Sequence, residues 1–299
     1  MGSETQKKYP RLADEVPHAP LKSLKTLWLQ IGGTLCNLQC THCFISCGPK
    51  NNNHKMMTLD QVRDRLNEAN CIGVQDYYIT GGEIFLNPQI FEILEEILNQ
   101  GPLNMLTNGT LLTLEKCIRL RNLQNRSKNP MTFRVSMEHF DESANDKVRG
   151  RGSYRKALQG VNNLAEVGFS TILTVTRSWD QEEDLKMKEK LLHLLRRQKT
   201  PLPRIKILPP FLLGRQVKAD RSYNENEYVT KECFKDYDIS NLQCTSCRMV
   251  TATGVYVCPI LVDEPSGRMG DKLDETLHPF PLSHSACYTC RVTGMTCTN

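Results

Sequence analysis

Short apolar runs alternate with amphipathic segments through the first two thirds of the chain. The apolar runs predict six strands, at 26–31, 76–80, 103–107, 131–136, 170–176 and 204–208. Between them, apolar residues recur at helical spacing and predict helices at 58–69, from 88 onward, and at 113–120, 153–167 and 181–198. Strands that alternate with helices predict a parallel sheet with right-handed crossovers. We therefore expect an α/β fold, a partial (β/α)6 TIM-like barrel.

Two local signals predict where helices begin or end. Thr58 and Gln61 form a capping-box pattern, which predicts the start of the first of these helices. Gly168 follows the helix at 153–167 and predicts its end, because glycine adopts the left-handed conformation that commonly follows a helix.

The pattern changes after residue 213, and this change divides the chain. Residues 1–23 carry three prolines among charges and predict an N-terminal extension. Residues 24–213 form the predicted barrel. Residues 214–299 are rich in turns and hold seven of the thirteen cysteines, which predicts a small cysteine-rich C-terminal module.

Composition excludes several classes of protein. The 299 residues are 39% hydrophobic and carry a net charge of +5 without a run of like charges, so nucleic-acid binding is not indicated. No apolar run approaches the ~20 residues that a membrane span needs. The polar N-terminus lacks a secretory h-region, so we expect a cytoplasmic protein whose clustered cysteines bind metal instead of forming disulfides.

Three cysteines lie close together directly after the first predicted strand. Cys36, Cys40 and Cys43 have the spacing C-x₃-C-x₂-C. Three thiolates on one loop can hold three corners of a [4Fe–4S] cube, which leaves one iron open to a substrate or cofactor. A zinc site with Cys47 as fourth ligand and a set of inert cysteines are the alternatives.

A glycine-rich turn follows the second predicted strand, at Thr80-Gly81-Gly82-Glu83. A plain turn is the alternative interpretation of this segment. The thiol loop and this turn both come directly after strand ends, and in α/β barrels that rim carries the chemistry.

Together these two motifs resemble those of the radical S-adenosylmethionine (radical SAM) superfamily, over about residues 27–208. In this chain Ile84 stands where that superfamily usually has proline, and His42 stands where it usually has an aromatic residue. The resemblance implies a [4Fe–4S] cluster on the three cysteines and S-adenosylmethionine at the open iron. It also implies that Gly81, Gly82 and Glu83 bind the methionine end of S-adenosylmethionine.

Further residues resemble the peptide-modifying and cofactor-building branch of the superfamily. Ser136 ends the fourth strand and Arg149-Gly150 follows, and the resemblance implies that the serine and arginine hold the methionine carboxylate and ribose region. The branch usually has Ser-Leu-Asp where this chain has Ser136-Met137-Glu138, so we assign no ribose contact to Glu138. A surface salt bridge is the alternative for Arg149. Asn108 and Thr176 also lie at strand ends and could face the cofactor.

The C-terminal cysteines resemble those of the SPASM and twitch extensions, which bind auxiliary clusters. The resemblance implies one auxiliary [4Fe–4S] cluster on Cys244, Cys258, Cys287 and Cys290, with Cys247 and Cys297 as alternates. Zinc remains the alternative, because paired C-x₂-C motifs are also zinc-ribbon spacing.

The functional hypothesis is therefore a radical SAM enzyme that cleaves S-adenosylmethionine reductively to a 5′-deoxyadenosyl radical. The resemblance implies a peptide or a small metabolite as substrate, and an electron donor such as flavodoxin or ferredoxin. Two rival hypotheses are a non-catalytic metal-bound scaffold that recruits a partner protein and an iron–sulfur electron carrier.

Overall fold

The computed structural model of the chain describes residues 16–298. The strands are β1 (His18–Ala19), β2 (Thr26–Leu29), β3 (Asp76–Ile79), β4 (Leu103–Thr107), β5 (Met131–Ser136), β6 (Thr171–Thr176), β7 (Arg204–Leu208), β8 (Cys247–Thr251), β9 (Gly254–Tyr256), β10 (Arg268–Gly270) and β11 (Phe280–Pro281). The helices are α1 (Leu59–Ile72), α2 (Ile90–Gln100), α3 (Leu114–Arg126), α4 (Glu142–Arg149), α5 (Ser153–Glu166), α6 (Asp184–Arg197), α7 (Gln216–Ala219) and α8 (Ser285–Thr293).

Nine of these strands form one sheet in the order β10-β9-β8-β2-β3-β4-β5-β6-β7. Strands β2 to β7 run parallel to their neighbours, as predicted. The C-terminal strand β8 adds to the other side of β2, also in parallel, and β9 and β10 continue the sheet antiparallel. The predicted α/β class with a parallel barrel sheet is confirmed.

The predicted helix ends are confirmed at two places. At the start of α1, the Thr58 hydroxyl accepts a hydrogen bond from Gln61 N at 3.2 Å, and the Gln61 side chain accepts one from Thr58 N at 3.0 Å. Gly168 has φ +82°, so it adopts the left-handed conformation just beyond α5.

The two faces of β2 show how the sheet separates its core from its site. Leu27 and Leu29 pack in the large hydrophobic core that also contains the apolar faces of α1 to α3. Trp28 points the other way, where its ring stacks on Tyr78 with centroids 4.4 Å apart and packs near Met249. Alternate residues of a strand point to opposite faces, so the interior face of the barrel is built from every second residue.

Three helices were not predicted, namely α4, α7 and α8. Helix α4 is short and polar, and the carboxylate of Asp141 caps it by accepting a hydrogen bond from Ala144 N at 3.0 Å. Helix α8 lies in the turn-rich C-terminal region, where its cysteines obscure any apolar periodicity.

The N-terminal extension predicted at 1–23 lies partly outside the described residues, which begin at 16. Its remaining part docks on the C-terminal region, because β1 pairs antiparallel with β11. The three-part division of the chain remains a prediction. Within residues 16–298, no helix combines the length and the apolar character that crossing a membrane requires.

Candidate metal and cofactor site

A cavity of about 220 Å³ lies inside the barrel at the carboxyl ends of the parallel strands. Most of the residues predicted for the first site line it, from loops that are far apart in sequence. They are Cys36, Cys40, Cys43, Gly81, Gly82, Asn108, Ser136, Arg149 and Thr176. Because parallel strands present their carboxyl ends on one rim, a single cavity collects residues from successive βα units.

Two of the three sulfur atoms of this loop, those of Cys36 and Cys43, accept hydrogen bonds. Cys36 Sγ accepts from Leu38 N at 3.4 Å and from Asn108 Nδ2 at 3.7 Å. Cys43 Sγ accepts from Cys47 N at 3.3 Å. Donors aimed at sulfur favour the thiolate, the form that binds iron, and they are one of the features that set the potential of an iron–sulfur cluster.

Burial opposes the thiolate form at all three cysteines, and at two of them it sets the direction of the pKa shift. Burial raises the pKa of Cys36 to about 11 and also raises the pKa of Cys40. For Cys43 the direction is reversed, because a hydrogen bond from the Cys47 side chain lowers its pKa while raising that of Cys47. Metal ligation of this loop therefore has to displace thiol protons from buried sites.

The glycine-rich turn packs directly on the thiol loop. Gly82 N donates to Gly33 O at 2.9 Å and Glu83 N to Leu35 O at 3.0 Å. A Cβ atom at Gly82 would lie 2.0 Å from Leu35 O, and one at Gly81, where φ is +146°, would lie 2.6 Å from Gly32 Cα. The two glycines are therefore required for the close approach of two backbones beside the thiols.

Glu83 has a different position from the two glycines before it. Its side chain is fully buried and accepts hydrogen bonds from Thr107 Oγ1 at 2.7 Å, Asn108 N at 2.8 Å and Phe85 N at 3.1 Å. Burial raises its pKa, against the effect of these donors. These bonds make Glu83 a brace between the ends of β3 and β4, and sequence analysis did not anticipate this role.

Glu138 is the centre of a buried ionic network. Its Oε1 accepts from Arg149 Nη1 at 2.6 Å and lies 2.9 Å from His42 Nε2, while Oε2 accepts from Thr176 N at 2.7 Å. Burial alone would raise the pKa of Glu138, but His42 and Arg149 outweigh it and lower the pKa to about 2. Arg149 is 7% exposed, which rules out the alternative of a surface salt bridge.

Arg215 holds the thiol loop in place. Its guanidinium donates to Cys40 O at 2.7 Å and to Ser46 O at 2.7 Å, and it also contacts Cys47 O. Sequence analysis missed this contact, since Arg215 and Cys40 are 175 residues apart and no spacing pattern connects them. Its place on the segment that follows the last barrel strand, β7, was the one available signal.

The C-terminal thiols form a second group around a smaller cavity of about 40 Å³. All four predicted auxiliary ligands line it, together with one of the two alternates. They are Cys244, Cys258, Cys287, Cys290 and Cys297. The other lining side chains are almost all apolar, including Leu242, Val257 and Phe280.

The two alternates differ in position. Cys247 does not line the small cavity, and its thiol donates to Val257 O at 3.8 Å. Cys297 lines both the small cavity and the cavity inside the barrel. Between the predicted ligand Cys244 and its rival Cys247, the geometry favours Cys244.

Arg248 clamps the segment that carries Cys244. Its buried guanidinium donates to Cys244 O at 2.9 Å, to Cys247 O at 2.7 Å and to Thr276 O at 2.9 Å. The loop that carries Cys40 and the segment that carries Cys244 therefore each have an arginine that binds backbone carbonyls, and neither arginine was predicted.

The donor sets of both groups fit iron–sulfur cubes. Among residues 16–298, no three His, Cys, Asp or Glu side chains are close enough to hold a single metal ion. A cube presents its irons at separate corners, so the thiolates that hold it need not converge on one point. The loop group supplies three motif thiols beside a cavity lined with polar groups, and the C-terminal group supplies at least four thiols.

Comparison with known proteins gives a family match and several partial relatives. The pattern described as the Radical SAM superfamily matches residues 31–190, more than half of the chain. The mycofactocin maturase MftC of Mycobacterium tuberculosis is 28% identical over 138 residues, which are 46% of this chain and 34% of MftC. The subtilosin biosynthesis protein AlbA of Bacillus subtilis is 29% identical over 136 residues, 45% of this chain and 29% of AlbA. The match therefore spans about a third of these curated relatives.

A solved structure extends the likeness in fold beyond the barrel. Streptococcus suis SuiB bound to the precursor peptide SuiA superimposes with a TM-score of 0.63 at 15% identity, covering 93% of this chain and 69% of that one. At this identity the likeness concerns the fold alone. Because the superfamily pattern covers more than half of its residues, the chain belongs to the radical SAM superfamily.

Proposed function

We propose that this chain is a radical SAM enzyme that modifies a peptide. One observation carries the proposal: Cys36, Cys40 and Cys43 share a cavity with Gly81, Gly82, Ser136 and Arg149 at the carboxyl rim of a parallel barrel. Three thiols beside a polar cavity provide for a cluster with one free corner and for the small molecule that occupies it. When bound, that cluster supplies the electron that cleaves S-adenosylmethionine to methionine and a 5′-deoxyadenosyl radical.

The chain's own residues would bind and orient S-adenosylmethionine. The Arg149 guanidinium and the Ser136 hydroxyl suit its carboxylate, since an arginine fork binds both carboxylate oxygens. Glu138 holds the Arg149 side chain at 2.6 Å, so the arginine is oriented before the ligand arrives. Asn108 would contribute through its hydrogen bond to Cys36 Sγ, and Glu83 would brace the loop that carries the glycines.

The C-terminal thiols would hold an auxiliary cluster. We propose Cys244, Cys258, Cys287 and Cys290 as its ligands, with Cys297 as an alternate, because these five line one cavity with apolar walls. Four thiolates close a cube, so this cluster would have no free corner and would relay electrons or shape the substrate cavity. In this proposal residues 24–213 are the catalytic barrel and 214–299 the auxiliary module.

The proposed peptide substrate is supported by the relatives. MftC is a maturase, AlbA takes part in bacteriocin biosynthesis, and SuiB was solved with a precursor peptide. A flavodoxin or ferredoxin would supply the electron. None of the thirteen cysteines, all of which lie within residues 16–298, forms a disulfide, which supports a reducing, cytoplasmic location.

The test is cofactor cleavage by the full chain, reconstituted anaerobically with iron and sulfide and reduced with dithionite. We expect 5′-deoxyadenosine and methionine to form from S-adenosylmethionine in equal amounts, as measured by liquid chromatography and mass spectrometry. Iron-loaded protein that leaves S-adenosylmethionine intact would contradict the proposal. Cluster spectra that ignore added S-adenosylmethionine would then favour an electron carrier, and bound zinc would favour a scaffold.

A further inference from the structure

Three side chains on the inner face of the barrel have buried polar atoms without a hydrogen-bond partner among the described residues. They are Trp28, through Nε1, Gln30, through Nε2 and Oε1, and Arg134, through Nη2. All three line the 220 Å³ cavity, and none belongs to the predicted site for S-adenosylmethionine. Because buried polar groups in proteins are almost always paired, unpaired ones in a cavity wall indicate a missing ligand.

Arg134 is the most unusual of the three. It is 1% exposed and lies on β5, two residues before Ser136, and therefore about 7 Å deeper in the barrel. Its Nε donates to Thr174 Oγ1 at 3.1 Å, and Nη1 contacts Cys297 O. These two partners are neutral oxygen atoms, so the positive charge of the guanidinium is not compensated by them.

Lys206 adds a second positive charge beside Arg134. In the register of the sheet, Lys206 pairs with Thr174, the residue that accepts from Arg134. Burial, and then the charge of Arg134, lowers the pKa of Lys206 to about 8. Arg134 acts on Lys206, and the other ionisable groups that act on the two cations are Cys297 and Tyr78, so no carboxylate of the described residues balances them.

A buried cation without a counter-ion, such as Arg134, is costly, and a second positive charge beside it adds to that cost. An anionic ligand would remove this cost. The donors around the cavity favour a planar anion, since a guanidinium fork binds both oxygens of a carboxylate and the Trp28 and Gln30 side chains add further N–H groups.

We propose that Arg134, with the charge of Lys206 beside it, binds a carboxylate group of the substrate inside the barrel. This inference rests on the proposed function, because it names the chemistry that the same active site would recognise. The carboxylate would belong either to an acidic residue of a peptide or to a small carboxylic acid.

Calorimetric titration of the full reconstituted chain tests this assignment. The probes are glutarate, the peptide acetyl-Gly-Glu-Gly-amide and its Gln counterpart, with inorganic phosphate as a competing anion. We expect saturable binding of glutarate or of the Glu peptide, weakened about tenfold or more in Arg134→Gln, with a smaller loss in Arg134→Lys. Binding of glutarate alone identifies a small acid as the source, and binding of the Glu peptide but not of the Gln peptide identifies a peptide side chain.

Arg126→Gln is the matched control, since Arg126 is an exposed arginine at the end of α3 and its loss should leave binding unchanged. If Arg134→Gln does not fold, Lys206→Gln decides, and severalfold weaker binding there supports the site. The proposal is overturned if neither glutarate nor the Glu peptide binds, or if phosphate binds more tightly than they do. It is also overturned if carboxylate binding is the same in these variants as in the unmodified chain.

Cleavage of S-adenosylmethionine by the unmodified chain, measured in the same preparations, separates this proposal from the proposed function. Carboxylate binding without cleavage contradicts only the function, and cleavage without carboxylate binding contradicts only the anion site.

Discussion

The two groups of thiols differ more in their surroundings than in their ligands. The loop thiols Cys36, Cys40 and Cys43 border a cavity of about 220 Å³ whose wall also carries Arg149 and Glu138. The C-terminal thiols border a cavity of about 40 Å³ whose other walls are nearly all apolar. A polar ligand therefore has room and hydrogen-bonding partners in the first cavity, whereas the second cavity is small and nearly all apolar.

The two groups nevertheless share one structural device. Arg215 donates to the backbone carbonyls of Cys40 and Ser46, and Arg248 donates to those of Cys244 and Cys247. Each arginine fixes the backbone beside the sulfurs and brings a positive charge near them, which favours thiolates. The clamp arginine fixes the backbone of each cysteine-bearing segment. The residues that line the neighbouring cavity then decide whether a cluster bound there can accept a further ligand.

The largest expected effect comes from removing a loop thiol. Cys36→Ala should abolish 5′-deoxyadenosine formation and remove about four irons per chain, because the remaining thiols no longer hold the cube. Iron analysis and product detection by mass spectrometry measure both quantities. Cys71→Ala is the control, since Cys71 is exposed and lies on α1, away from both groups. Product formation that survives Cys36→Ala would refute the role of this loop.

A C-terminal thiol should have a smaller effect on cofactor cleavage. Cys258→Ala should lower the iron content by about half, because only the second cube is lost, and 5′-deoxyadenosine formation without substrate should continue. Cys247→Ala should retain iron, since its thiol lies outside the small cavity and donates to Val257 O. Loss of all iron in Cys258→Ala would mean that the two groups do not act separately.

The sequence predicts the barrel and the loop thiols because both signals are local. Each strand is an apolar run of four to six residues, and Cys36, Cys40 and Cys43 lie on one loop directly after β2. Their common cavity then follows from parallel strand topology alone. The same argument covers Ser136, which ends β5, whereas Arg149 was predicted from the resemblance to the superfamily branch, and both residues line the cavity.

The clamps and the anion site could not be predicted, because they depend on side chains that meet only after folding. Arg215 and Cys40 are 175 residues apart, and Arg134 and Cys297 are 163 apart. Arg134 stands in a strand whose sequence, Met131 to Ser136, gives no sign that this charge is buried. The interaction of Glu138 with His42 was equally invisible, since it pairs the end of β5 with the thiol loop.

Replacing Arg215 or Arg248 by lysine tests whether the two clamp arginines stabilise their cysteine-bearing segments in the same way. Arg215→Lys and Arg248→Lys keep the charge but lose the fork, so each should destabilise the folded protein by about 1–3 kcal/mol through unpaired buried carbonyls. We expect Arg215→Lys to speed loss of the cofactor-binding cluster in air, and Arg248→Lys to speed loss of the auxiliary cluster. Urea unfolding and the visible absorbance of the clusters measure these effects.

The control for the clamps is Arg221→Lys, because Arg221 is a half-exposed arginine that pairs with Glu227 on the surface. It should change neither stability nor cluster lifetime by a measurable amount. If Arg215→Lys and Arg248→Lys affected the same cluster, the two clamps would not be specific to their own segments.

The smallest expected effect concerns a single hydrogen bond to sulfur. Asn108 Nδ2 lies 3.7 Å from Cys36 Sγ, and a donor at sulfur stabilises the reduced, more negative cluster. Asn108→Ala should therefore lower the reduction potential of the cofactor-binding cluster by about 20–60 mV, the equivalent of one hydrogen bond in a one-electron couple.

Thr110→Ala is the control, because it removes a neighbour of Asn108 and leaves the donor to sulfur in place. A redox titration followed by electron paramagnetic resonance resolves the two clusters, and a shift confined to the auxiliary cluster would show that Asn108 does not tune the loop thiols.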